Sequence, residues 1–249
     1  MCAPNGNHQH STTTTTATPN TILNLDLMDG NQRMAVANHA RLEAEQVYCL
    51  NLMSSPGTGK TTLLESTLGS LDINIRTAVR EGDMTTELDA DRLRAYGVPV
   101  VAITTGRACH LDADMIGGGL DRLNLAALDL VFIENVGNLI CPAEYPLGEH
   151  ANVVLVSVTE GEDKPLKYPV MFYEADCVVI TKTDLSPYLK VDIDKLKANI
   201  RQICPNVPVF ALSAETGDGM PDWLNWIQKQ LAERFAPRPG EPIGEKGNW

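Results

Sequence analysis

The sequence predicts an α/β fold, a doubly wound, mostly parallel sheet of about seven strands with helices on both faces. Three observations lead there. Apolar runs of strand length recur along the 249 residues, stretches of helical spacing separate several of them, and a glycine-rich segment joins the first run to the helix after it. Strand then helix, repeated, favours parallel neighbours, because each crossover returns the chain to the same end of the sheet. Ligands in such sheets sit beyond the carboxyl ends of the strands. With 43% hydrophobic residues, the chain can bury a full core as one domain.

Residues 1–30 are expected as a disordered tail, because the Thr12 to Thr16 run and its polar surroundings cannot offset the entropy of ordering. From 31 to 47 the spacing of Met34, Ala37, Leu42 and Ala44 predicts a helix, and residues 47–53 form an apolar first strand. Leu63, Leu64 and Leu68 suit a helix that packs back on the sheet. Further strands are expected at 75–79, 98–103, 130–133, 153–158, 177–180 and 207–212, and helices at 86–96, 115–123, 191–203 and 220–235. Residues 31–235 thus make one domain, and 236–249, rich in Pro and Gly, a loose tail.

A net charge of −12 argues against nucleic acid or an anionic membrane as the main partner. The N-terminus lacks the basic-then-apolar order of a secretory signal, so the chain is expected in the cytoplasm. Its six cysteines are then expected reduced, serving packing, metal binding or redox chemistry.

Ser54-Ser55-Pro56-Gly57-Thr58-Gly59-Lys60-Thr61 follows the first strand and opens the next helix. Gly57 and Gly59 let the backbone turn its N–H groups inward on phosphate oxygens, and the helix adds its positive end. Gly57, Thr58, Gly59, Lys60, Thr61 and Thr62 are therefore expected on the nucleotide, with Lys60 as a point charge on the β- and γ-phosphates and Thr61 on Mg²⁺. The pattern asks for glycine where Ser54 stands. Thr181-Lys182-Thr183-Asp184 and Ser213-Ala214, each after a later strand, resemble guanine-reading motifs. The Asp184 carboxylate can accept from N1–H and the exocyclic amine of guanine, the Lys182 stem can lie against the base, and Ala214 can offer its N–H to O6. GTPases usually carry asparagine where Thr181 stands, so a side-chain amide is lost there.

Glu81-Gly82-Asp83 and Glu134-Asn135-Val136-Gly137-Asn138 are read as following the second and fourth strands. Asp83 and Glu134 are the expected Mg²⁺ carboxylates and, with Lys60, the expected catalytic set; Gly137 lets the backbone approach the γ-phosphate. No glutamine is placed to orient the attacking water. Arg80 and Arg107 are the available arginines, and unassisted turnover is expected at about 10⁻⁴ to 10⁻² per second. Cys109-His110 and Cys141 lie past strands at the same edge, and thiolate and imidazole suit Zn²⁺, Ni²⁺ or Cu. The competing reading is a packed thiol beside a solvated imidazole. Cys49, Cys177 and Cys204 read as core.

Together the phosphate loop, Glu81-Gly82-Asp83, Cys109-His110-Leu111-Asp112-Ala113, Ile133-Glu134-Asn135-Val136-Gly137-Asn138-Leu139, and 159–169 (Thr-Glu-Gly-Glu-Asp-Lys-Pro-Leu-Lys-Tyr-Pro) resemble the hydrogenase-maturation nickel-insertion GTPases, the HypB family. That resemblance spans roughly residues 30 to 235. It implies a GTP/GDP-dependent homodimer with nickel or zinc at the Cys109, His110 and Cys141 positions. It further implies a HypA-type nickel chaperone and the hydrogenase large subunit as partners. Many members begin with a cysteine cluster or a histidine-rich stretch, whereas here only Cys2, His8 and His10 remain. A signalling-type GTPase without a transition-metal site is the alternative reading.

Overall fold

The computed structural model describes residues 19–83, 87–106 and 108–235, with side chains from residue 28 onward. Alternation along β1 (Tyr48–Ser54) sets the layers. Tyr48, Leu50 and Leu52 join the core on one face of the sheet, and Cys49 and Met53 join the cores on the other. β2 (Thr77–Asp83), β3 (Val100–Thr104), β4 (Leu130–Glu134), β5 (Ala151–Ser157), β6 (Cys177–Thr181) and β7 (Val209–Ala211) complete seven strands in the order β3-β2-β4-β1-β5-β6-β7. Every pairing is parallel.

The helices are α1 (Pro19–Ala44), α2 (Lys60–Ser70), α3 (Leu88–Arg94), α4 (Ala113–Leu120), α5 (Cys141–Glu144), α6 (Lys164–Lys167), α7 (Pro169–Tyr173), α8 (Ile193–Ile203) and α9 (Met220–Phe235). On the first face Leu63 and Leu64 of α2, Leu93 of α3, and Trp223 and Ile227 of α9 pack on Leu50, Leu52 and Phe132. Trp223 donates its indole N–H to Thr67 Oγ1 at 2.9 Å, so a fully buried aromatic leaves no orphan donor. On the other face α1 and α4 cover Cys49, Ala78 and Val131, while α7 and α8 cover Val154, Val178 and Ile180. The sheet is therefore doubly wound, as the alternation of elements predicts.

Several boundaries differ from the sequence expectation. α1 starts at Pro19, so 19–30 is helical rather than tail; Pro fits a first helical position, and Ile22, Leu23, Leu25 and Leu27 are tolerated or strong helix formers. The rest of the tail, with Cys2, His8 and His10, lies outside the described residues, as do Arg107 and 236–249. β2 runs on to Asp83 and β4 to Glu134, so the acidic residues belong to strands instead of following them. Charge interrupts the apolar run there, yet β2 is paired on both sides, with Glu81 opposite Ala102 and Glu134. The short α5, α6 and α7 were not expected; each carries Pro in its first turn.

Arg80 lies fully buried beneath α4, donating to the Met115 carbonyl at 3.3 Å. Its Nε and other terminal nitrogen have no hydrogen-bond partner among the described residues, and burial pushes its pKa down to about 10. A Cβ on Gly119 would overlap that guanidinium. Arg80 is thus held in the core, away from any γ-phosphate, which corrects its expected availability as an arginine finger.

Candidate functional site

The chain reverses its direction across the sheet beside β1, and at that switch point the loop after β1 turns into α2. Gly57 and Gly59 take φ of 72° and 106°, a region costly for residues with a Cβ. Lys60 is 9% exposed and donates to Ser54 Oγ at 3.1 Å, so the serine that departs from the pattern anchors the lysine. Burial lowers the Lys60 pKa, opposed by the nearby Glu134. Thr61 Oγ1 donates to Glu134 Oε1 at 2.7 Å. Glu134 Oε2 is buried without a partner among the described residues, and burial, opposed by Lys60, pushes the carboxyl up to about 7. Glu81 on the paired strand is pushed up to about 8, by burial and then by Glu134 and Asp83. Asp83 ends β2 on the same side as Glu81. Crowded acidic groups beside a hydroxyl, with buried oxygens left unsatisfied, fit a hard dication such as Mg²⁺. Gly137 presses on the loop so closely that a Cβ would come within 2.9 Å of Pro56 Cα.

Two other segments grip the phosphate loop from outside. Glu160, just past β5, accepts from Ser55 Oγ at 2.6 Å, Thr58 Oγ1 at 2.7 Å and Ser157 N at 3.0 Å, and pairs with Lys164 at 3.1 Å. Burial works against its ionisation, but these bonds together hold its pKa below the usual carboxylate range. Its signal in the sequence is the S-x-x-E capping box of Ser157 and Glu160. Thr181 Oγ1 donates to Thr58 O at 2.7 Å, so a hydroxyl supplies a tether where an amide is lost. Lys182, at φ 59°, reaches Gly57 O at 2.7 Å and so lies across the loop. Thr183 N donates to Leu212 O at 3.3 Å, which sets Asp184 beside the turn that carries Ser213 and Ala214. The Asp184 carboxylate makes no hydrogen bond to a described residue. Thr62 lies on α2 near Arg92, at 3.5 Å, and that arginine is paired with Glu65 and Asp89.

Cys109, His110 and Cys141 converge: their ligand atoms all lie within 4.8 Å of one another, with the two sulfurs 3.2 Å apart. Burial lowers the His110 pKa, which favours the neutral ring a metal needs, and the ring stacks on Tyr145 at 3.9 Å between centroids. Tyr145 carries no sequence signal for this role. The Cys141 thiol is pushed up by its contact with the Cys109 thiol and by burial, and drawn down by Asn138.

A second trio, His39, Glu43 and His150, also lies within 4.8 Å, at the opposite end of β1. His150 Nδ1 accepts from Cys49 N at 3.0 Å, so the neutral ring carries its proton on Nε2, which donates to Glu43 at 2.8 Å. Arg234 donates to the same Glu43 oxygen. No lone pair of His150 remains for a metal, and the trio is a latch between α1, α9 and the start of β5. Burial, reinforced by His39 and Arg234 against the Glu43 hydrogen bond, pushes His150 down to about 4. The unfolded chain takes up this proton below pH ~6.5 and the folded one only near 4, so stability should fall by about 3 kcal/mol as pH drops through that window. Urea unfolding at several pH values tests this. His150→Asn should flatten that part of the profile, and an unchanged slope would remove the assignment.

This phosphate loop at the switch point of a parallel sheet, with the Asp184 and Ser213 turns side by side at its edge, defines a P-loop GTPase. A family model described as CobW/HypB/UreG, nucleotide-binding domain, matches residues 49–211. Hydrogenase maturation factor HypB of Azotobacter vinelandii is 50% identical over 213 residues, covering 86% of this chain and 70% of that protein. The crystal structure of HypB from Helicobacter pylori in complex with nickel superposes with a TM-score of 0.79 at 41% identity, covering 84% of this chain and 98% of that one. HypB from Archaeoglobus fulgidus gives a TM-score of 0.77 at 37% identity, covering 82% and 99%. The chain belongs to the HypB family.

Proposed function

We propose that this GTPase uses its nucleotide cycle to hold and release nickel, or zinc, and so supports nickel insertion into the hydrogenase large subunit. The observation that carries the reading is the convergence of Cys109, His110 and Cys141 immediately beyond the loop that presses on the phosphate loop. In this reading the backbone around Gly57, Thr58 and Gly59, with Thr62 behind it, cradles the phosphates. Lys60 spreads positive charge over the β- and γ-oxygens as water attacks the γ-phosphorus and the bond to the β-phosphate oxygen breaks. Thr61, Asp83 and Glu134 would hold Mg²⁺, which would supply positive charge to offset that of the phosphates. Gly137 meets the γ-phosphate, and Lys182, Asp184, Ser213 and Ala214 read guanine.

At this site the described residues of one chain offer three transition-metal donors, whereas four-coordinate sites want a fourth, so a second copy is expected to complete the shell. Exposed Ile140, Leu166, Val170 and Tyr173, on or beside α5, α6 and α7, support such a homodimer. A HypA-type chaperone and the hydrogenase large subunit are the further partners. The cysteines among the described residues are all free, which supports a reducing cytoplasmic setting; among the described residues no helix is long and apolar enough to cross a membrane.

Calorimetric titration of nickel into GDP-bound and GTP-analogue-bound protein tests the reading. Roughly tenfold tighter binding in one state is expected, about 1.4 kcal/mol of coupling, with an equal reciprocal effect of nickel on the analogue. Cys141→Ala should lose this binding. Equal affinity in both states, or no loss in Cys141→Ala, would favour the signalling-type GTPase instead.

A further inference from the structure

Cys109 and Cys141 stand on different segments, one ahead of α4 and the other opening α5, yet their sulfurs lie 3.2 Å apart. Something must hold the two segments in register. Asn138 touches both: its Nδ2 donates to Cys109 O at 3.3 Å, and its Oδ1 accepts at 2.9 Å from the N–H of Ile140, the residue just before Cys141. Asn135 adds a second hold on the first segment, accepting from Leu111 N at 3.3 Å. Between these two asparagines sits Gly137, packed on Pro56 without room for a Cβ, and one residue before Asn135 is Glu134, bonded to Thr61. The run 134–138 therefore touches the phosphate loop with one set of residues and the thiol segments with the other.

We infer that Asn138 is the positioning residue that sets the spacing of the two thiols and passes movement of the nucleotide loop on to them. This rests on the nickel reading above. Movement of Gly137 with Pro56 carries Asn138, because Gly137 and Asn138 are adjacent in the chain and Gly137 lies against Pro56 with no space for a Cβ. Asn138 is joined to one segment through the Cys109 carbonyl and to the other through the Ile140 backbone N–H, so its displacement changes the separation of the sulfurs. A four-coordinate metal tolerates little such change, since metal–sulfur bonds are held near 2.3 Å. Nucleotide state then becomes metal affinity through one amide side chain.

The test compares full-length wild type, Asn138→Ala and Asn138→Asp by nickel calorimetry in GDP and GTP analogue, with analogue affinity measured in metal-free protein. Asn138→Ala should weaken nickel roughly 10- to 100-fold, as loss of a partner supporting a ligand does, and bring the nucleotide-dependent ratio close to one. Metal-free analogue affinity should stay within about twofold, since Asn138 makes no hydrogen bond to the phosphate loop among the described residues. Asn138→Asp keeps the acceptor for Ile140 N–H but loses the amide donor, so it should also lose the ratio; it decides the matter if Asn138→Ala does not fold. A preserved ratio in the folded variant, even with weaker nickel binding, would reduce Asn138 to a structural part and overturn the inference. If the wild type shows no ratio, the nickel reading itself fails, and the inference falls with it.

Discussion

Lys60→Ala is expected to abolish measurable GTP turnover while leaving the fold intact. Phosphoryl transfer leaves the protein little covalent work, so nearly all catalysis is positioning and charge stabilisation. Lys60 is buried and aimed by Ser54 Oγ, so its charge is undiluted by water. Its removal also leaves Glu134 without the cation that opposes burial, and the carboxyl becomes harder to ionise for Mg²⁺. The combined loss should reach at least about a thousandfold, ~4 kcal/mol. Single-turnover phosphate release measures it, with a thermal melt as the folding control. Turnover within tenfold of wild type would remove the phosphate-loop assignment.

Asp184→Asn should trade GTP for xanthosine triphosphate. Asp184 lies in the first turn of a 3-10 stretch after β6, beside the Ser213 turn, with its carboxylate uncommitted to any described residue. A carboxylate there can accept twice from guanine, at roughly 1.5 to 3 kcal/mol for each charge-assisted bond. Asparagine replaces one acceptor by an N–H, which meets the amine of guanine badly and the corresponding carbonyl of xanthine well. GTP affinity should fall about 10- to 100-fold, with xanthosine triphosphate gaining in competition. An unchanged preference would place base recognition elsewhere.

The phosphate loop and the strands around it were legible because their determinants are local: glycine at positive φ, a run of buried aliphatics, a helix begun on cue. The acidic ends of β2 and β4 were less so. Their strand state comes from neighbours on both sides, which no single segment records, and charge masks it. Thr181 was seen as a loss because the rule knows the asparagine, while the hydroxyl finds Thr58 O only once β6 and the phosphate loop lie side by side. Glu160, Tyr145 and Asn138 act across loops brought together by the sheet, so their partners are distant in sequence. For Cys109, His110 and Cys141 the sequence offers only a shared sheet edge, and the structure supplies the distance that spacing could not.

The buried Arg80 and Gly119 tie two positions into one evolutionary unit with a preferred order of change. A side chain arriving first at position 119 meets the guanidinium and must drive that cation out of its buried place. Shortening Arg80 first meets no such obstacle, because a buried cation with unmatched donors gives up little stability when an apolar residue replaces it. Lineages can thus leave this pairing by one route and return by the reverse, so the residue at 119 is readable only together with the residue at 80.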